Sequence, residues 1–143
     1  MTVNTILSGG CLCESVRFTY VGPLGGEMGA VIVCHCGQCR KAQGYAAAVA
    51  PILASGLTVE RGGEQIRAFE SSPGKTRLFC GACGSPLWSK LAAKPDRLRL
   101  RLGALDNPPE NLRVEAHTHT GDEPAWSRGD TAPRYPGLEP GRP

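Results

Sequence analysis

The sequence predicts a mostly β, antiparallel domain with short helical turns, pinned by bound metal. Three observations carry that reading. Leu98, Leu100 and Leu102 alternate strictly with Arg97, Arg99 and Arg101, the period-2 signature of a half-buried strand. The 143 residues include 19 glycines and 12 prolines, which favour turns and short strands over long helices. Seven cysteines fall into three clusters: Cys11-Leu-Cys13, Cys34-His-Cys36-Gly-Gln-Cys39 and Cys80-Gly-Ala-Cys83.

The remaining elements follow in order. Val16 to Val21 reads as a strand after the first cysteine pair, and Ala30 to Val33 as a short strand feeding Cys34. Lys41 to Ala50 reads as a helical turn after Cys39 followed by a strand. Leu57 to Arg61 is a strand ending in a Gly-Gly turn. Ile66 to Glu70 and Thr76 to Phe79 flank the turn cluster Ser71-Ser-Pro-Gly-Lys75. Pro86 to Leu91 leaves the third cysteine pair as a strand. Leu112, Val114 and Ala116 alternate with Arg113, Glu115 and His117, which predicts one more. Residues 121–143 are rich in Pro and Gly and predict irregular chain. One domain is expected over residues 1–137, with 138–143 a mobile tail.

Composition sets the setting. Apolar residues make up 41% of the chain, enough for a core, and aromatics only 6%. No run approaches the roughly 20 apolar residues of a membrane span. Met1 to Ser8 lacks a basic region followed by a long apolar run, so no secretory signal is expected and the predicted location is cytoplasmic. Thiols stay reduced there, and clustered cysteines then point to metal rather than disulfides. The formal charge of +3 counts every thiol as neutral. Seven thiolate charges against the four of two dications cancel it, and the arginines are dispersed. The balance therefore does not point to a nucleic acid.

Read as two, three and two, the cysteines suggest two metal sites. Cys80-Gly-Ala-Cys83-Gly84 has the form of a zinc-knuckle turn, in which two intervening residues let both sulfurs face one ion. Paired with Cys11 and Cys13 it would close a four-thiolate site and tie together segments far apart in the chain. Such binding contributes on the order of 10 kcal/mol in small domains. Two buried, unliganded pairs are the alternative.

Cys34, Cys36 and Cys39 can wrap an ion from three sides and leave a position open, where chemistry can occur. Arg40 and Lys41 follow at once and could favour the thiolates. Candidates for the fourth position are water, a substrate thiol, His35, His117, His119 or Asp106. His35 is wedged between two ligands and is expected to point away. His117 and His119 are expected to share one face of a strand. A redox disulfide with a resolving cysteine, or a purely structural site, stands beside the open-site reading.

The motifs Gly9-Gly-Cys-Leu-Cys13, Cys34-His-Cys-Gly-Gln-Cys-Arg-Lys-Ala-Gln-Gly44 and Phe79-Cys-Gly-Ala-Cys-Gly-Ser-Pro-Leu87 resemble those of the glutathione-dependent formaldehyde-activating enzyme (GFA) family. That family includes the centromere protein V-like domain. Gly103-Ala-Leu-Asp-Asn-Pro108 is similar to its next motif. His117, Trp126, Asp130 and Pro133-Arg-Tyr135 resemble its C-terminal one. The likeness spans about residues 5–137. It implies an Mss4-like β-rich zinc fold. It also implies a structural zinc on Cys11, Cys13, Cys80 and Cys83, and a catalytic zinc on Cys34, Cys36 and Cys39, with His117 in the site region as a catalytic candidate for proton delivery, a role water could also fill. A structural role for His117, with Trp126 as a core anchor, stands beside it. Glu14-Ser15 departs from the family's Gly followed by a small residue, and Pro124-Ala125 from its Ala-Pro.

The implied activity is that of a carbon–sulfur lyase that joins or splits formaldehyde and glutathione as S-(hydroxymethyl)glutathione. Another small aldehyde or thiol would fit the same chemistry. The alternative is a non-catalytic zinc module that binds a protein or nucleic acid. The chain offers no basic tail and no long amphipathic helix for it.

Overall fold

The computed structural model describes residues 3–142, with side chains from Ile6 onward. The start of the Met1–Ser8 stretch and the end of the 138–143 tail lie outside that range. In chain order the elements are β1 (Val3–Gly10), β2 (Arg17–Leu24), β3 (Ile32–Cys34), α1 (Gly37–Gln43), β4 (Ala47–Leu53), β5 (Leu57–Arg61), β6 (Ile66–Ser72), β7 (Lys75–Cys80), β8 (Pro86–Leu91), β9 (Arg97–Arg101) and β10 (Ala116–Thr118). Short 3₁₀ turns connect several of them. The strands form two sheets, one in the order β1-β2-β5 and one in the order β10-β3-β4-β9-β8-β7-β6.

The sheets pack face to face over the main core, and a smaller buried cluster of Cys34, Cys39, Ala47 and Val49 lies apart from it. Leu7, Phe18 and Tyr20 of the smaller sheet meet Ala50, Ile52, Trp88, Leu98 and Leu100 of the larger. The Phe18 and Trp88 rings stand edge to face, 5.7 Å apart at 88°. The Tyr20 hydroxyl is buried but satisfied. It donates to the Pro23 carbonyl at 2.6 Å and accepts from the Leu53 N–H at 3.3 Å.

Strand register decides what the outer face of the larger sheet carries. Cys34 pairs with Ala47, Val49 with Arg101, Arg99 with Ser89, and Ser89 with Arg77. Paired residues, and residues two apart, share a face. Cys34, Lys75, Arg77, Ser89, Arg99 and Arg101 therefore project together, on the side away from the core.

The structure corrects several expectations. The sheet is not wholly antiparallel, because β10 runs parallel to β3. It reaches that edge through a long irregular connection, free of the constraint a hairpin would impose. The alternation from Leu112 to Ala116 yields a strand only over Ala116–Thr118. Upstream, Leu112 N–H closes a turn onto the carbonyl of Pro109, 3.0 Å away. Glu115 spends both its N–H and its carboxylate on Val31, at 2.8 and 2.7 Å. Leu102 leaves the β9 alternation for a 3₁₀ turn. Arg101, on the nominally polar side of β9, is buried. Trp126 is 67% exposed and leans on Tyr45, so it is not a core anchor. β1 itself had no sequence signal. Its glycines serve close approach: a Cβ at Gly9 would lie 2.3 Å from the Ala104 oxygen, and one at Gly10 2.2 Å from the Val16 oxygen.

Candidate functional site

The cysteines converge as two clusters, Cys11, Cys13, Cys80 and Cys83 in one and Cys34, Cys36 and Cys39 in the other, with the sulfurs of each within 4.8 Å of one another. In the first, two tight turns face each other. Cys11 N–H bonds the Val16 carbonyl at 3.1 Å, and Cys80 N–H bonds the Ser85 carbonyl at 3.0 Å. The Cys11 and Cys13 sulfurs are 3.5 Å apart, and those of Cys13 and Cys80 are 3.9 Å apart. A tetrahedron with Zn–S bonds of about 2.3 Å has an edge of about 3.8 Å, so the spacing fits one ion.

Donors already surround these sulfurs. Val16 N–H points at Cys11 Sγ from 3.2 Å. The Ser15 hydroxyl lies 3.1 Å from Cys13 Sγ, and the Ser85 hydroxyl 3.1 Å from Cys83 Sγ. Ser85 also accepts from Leu12 N–H at 2.9 Å, which ties the two turns together. Its hydroxyl, helped by the backbone N–H groups of Cys13 and Ser85, lowers the Cys83 pKa to about 5. Glu14 sits in the left-handed region, φ 65°, where the family pattern has glycine.

The second cluster is built by a strand end and a helix start. Cys34 closes β3. Cys36 is the N-cap of α1, its sulfur accepting from Cys39 N–H at 3.3 Å, and Cys39 lies in the first turn. Burial pushes the Cys39 thiol up to about 11, and the neighbouring Cys36 and Cys34 sulfurs add to it. Arg77 opposes this. Both its terminal nitrogens stand 3.9 Å from Cys39 Sγ, and its Nε donates to Ser71 Oγ at 2.9 Å. The adjacent Arg40 turns instead to the carbonyl of Asp122, and Lys41 is exposed. Three thiolates with no intervening carboxylate form a soft donor set that suits zinc.

This cluster opens on a cavity of about 330 Å³ whose walls include Cys34, Cys39, Lys75, Arg99, Arg101 and His119. Burial lowers the pKa of Arg101, while the Cys39 thiolate pulls it back up. Burial and the charge of Arg77 lower that of Lys75.

The two histidines separate. β10 ends at Thr118, and His119 takes a left-handed conformation, φ 55° and ψ 37°. That breaks the alternation expected to put His117 and His119 on one face, and His119 joins the cavity wall. His117 shares its face with Val33 and meets His35 instead, Nδ1 to Nε2 at 2.9 Å. His35 Nδ1 lies 3.7 Å from Glu123, which accepts from Ser127 Oγ at 3.0 Å. Asp106 is held by Arg17, beside the four-cysteine site rather than the triad. The cations around the triad are not evident from sequence because β7 and β9 lie far from Cys34, Cys36 and Cys39 along the chain. The Arg97/Arg99/Arg101 alternation was their visible signal.

Known proteins resemble this chain in sequence and in fold. A Halomonas elongata protein, provisionally named a glutathione-dependent formaldehyde-activating enzyme, is 29% identical over 132 residues, covering 85% of this chain and 79% of that protein. A crystal structure of a Rhodobacter sphaeroides protein superposes with a TM-score of 0.59 at 25% identity, covering 78% of this chain and 99% of that one. The family profile described as glutathione-dependent formaldehyde-activating enzyme matches residues 6–122. The chain therefore belongs to the glutathione-dependent formaldehyde-activating enzyme family.

Proposed function

We propose that this protein is a zinc-dependent carbon–sulfur lyase that joins or splits glutathione and formaldehyde as S-(hydroxymethyl)glutathione. The observation that carries the reading is the three-sulfur cluster opening on a cavity lined by cations and a histidine. Cys11, Cys13, Cys80 and Cys83 would hold a structural zinc, and Cys34, Cys36 and Cys39 a second. Zinc in the second set supplies a Lewis-acidic position that keeps a substrate thiol ionised near neutral pH.

The chain's own residues would do the rest. Arg77 stabilises Cys39 as a thiolate. Cations of the cavity draw in an anionic thiol and fix its orientation, which lowers the entropic part of the barrier. The thiolate sulfur, its proton already released to solvent, attacks the carbonyl carbon, a C–S bond forms, and the C=O π pair moves to oxygen. That oxygen takes a proton, and His119 is the side chain on the cavity wall suited to give it. His117 acts through His35, holding the Cys34–Cys36 loop against β10 and Glu123. One domain over 1–137 and a cytoplasmic setting that keeps thiols reduced accord with this chemistry.

The test is the rate at which formaldehyde and glutathione equilibrate with their adduct, followed by two-dimensional exchange NMR. Zinc-loaded protein is expected to raise the exchange rate above the uncatalysed one in proportion to enzyme concentration. An unchanged rate would overturn the assignment.

A further inference from the structure

The triad cavity does not stand alone. A second cavity of about 330 Å³ adjoins it and shares Ile32, Leu91 and Arg99 with it. The second is lined further by Ser89, Lys94 and Arg97. Together they form a groove along the outer face of the larger sheet, with Cys34 and Cys39 of the triad at one end. Among the described residues, no Asp or Glu lines either part.

Arg99 stands where the two parts meet. Its strand position, opposite Ser89 and Pro51, holds its stem on the sheet face. Ser89 is 1% exposed, and its Oγ is without a hydrogen-bond partner. A buried hydroxyl left unpaired is costly, and its presence in a cationic groove marks a place where a ligand oxygen would complete the bonding. Lys75 carries a lowered pKa from burial and from Arg77, as expected where cations gather without compensating acids.

We propose that the groove reads a carboxylate of the substrate thiol, with Arg99 as the specificity-determining residue and Ser89 and Lys94 flanking the anion. This rests on the proposed thiol chemistry at the triad and extends it. The protein would select thiols that carry a carboxylate several bonds from sulfur over neutral thiols of equal size. Arg99 offers two parallel N–H donors, the geometry a carboxylate accepts best.

The experiment is calorimetric binding of glutathione and of its dimethyl ester to the zinc-loaded protein and to Arg99→Gln and Arg99→Lys variants. A lost charged hydrogen bond corresponds to about ten-fold or more in affinity. The wild type is expected to bind the free acid at least about ten-fold more tightly than the ester. Arg99→Gln should erase that preference, and Arg99→Lys should retain part of it. Equal binding of acid and ester, binding of neither, or an intact preference in Arg99→Gln would each overturn the proposal. Where Arg99→Gln does not fold, the wild-type comparison tests the carboxylate preference of the groove, and Arg99→Lys, which keeps the charge, tests the residue: a preference undiminished in Arg99→Lys would overturn the role of Arg99. Exchange rates separate the two claims. Catalysis with the ester at the full rate and affinity of the acid removes the carboxylate subsite and keeps the lyase. Preferential binding of the acid without catalysis does the reverse.

Discussion

Arg77 holds both terminal guanidinium nitrogens 3.9 Å from the sulfur of Cys39. The two residues come from different elements, β7 and the first turn of α1, and the contact is buried. A fixed cation there favours the thiolate that a metal needs, against a burial that favours the thiol.

Arg77→Met should therefore weaken metal binding at Cys34, Cys36 and Cys39 by about 10- to 100-fold, the usual effect of losing a partner behind a ligand. Binding at Cys11, Cys13, Cys80 and Cys83 should be unchanged. Zinc competition against a chromophoric chelator reads both affinities. Equal affinities in variant and wild type would show that Arg77 does not tune the triad.

Acid should empty the two sites in order. Cys39 is raised to about 11 by burial, so metal binding at the triad must expel its proton, and affinity there falls as pH falls. Cys83 is lowered to about 5 by the Ser85 hydroxyl, so it is a thiolate at neutral pH. Its contribution to folding is present above the ordinary thiol range and is lost as pH falls toward about 5. Titration from about pH 8 to about pH 5 should release the triad zinc first, as read by metal analysis of dialysed samples. Simultaneous release would contradict this.

The two clusters should also differ in what they do for the fold. Cys80 is fully buried and joins β7 to the turn after β1. Cys80→Ser should remove the structural zinc and unfold the domain or lower its melting temperature sharply. Cys36→Ser keeps an oxygen at the N-cap of α1, where serine is favoured. It should leave circular dichroism intact and reduce zinc from two ions to one. Equal unfolding by both changes would refute the division.

Glu14 occupies a left-handed backbone position, φ 65°, and its carbonyl accepts from Arg61 at 2.9 Å. Glycine adopts that conformation without steric cost. Glu14→Gly should keep that backbone bond and stabilise the zinc-loaded protein by up to about 1 kcal/mol, read as a rise in melting temperature. A fall would show that the side chain, not the backbone, matters there.

These particulars show how much of the molecule was legible in the sequence. Pro86–Leu91 is a strand over its whole anticipated span, because apolar side chains between turn residues leave few alternatives. The partition of the cysteines into four and three followed from spacing, since a metal cluster leaves its ligands in short local motifs. What spacing could not carry was contact between distant segments. Arg77 meets Cys39 only through the order of strands in the sheet. His119 reaches the cavity only because the chain turns left-handed after Thr118, in a region that histidine visits more than most residues but still too rarely to be read from sequence. The failed strand from Leu112 had the right alternation. It lost because Leu112 N–H turns back onto the Pro109 carbonyl and the Glu115 carboxylate takes the Val31 N–H.

The central claim is that Cys34, Cys36 and Cys39 form an incomplete coordination shell that a substrate thiol completes. Zinc-edge X-ray absorption of the two-zinc protein, before and after glutathione, tests it directly. The account predicts a mean sulfur count rising from about 3.5 to about 4 per zinc, since only the three-sulfur ion gains a ligand. A count that stays constant on adding glutathione would contradict it.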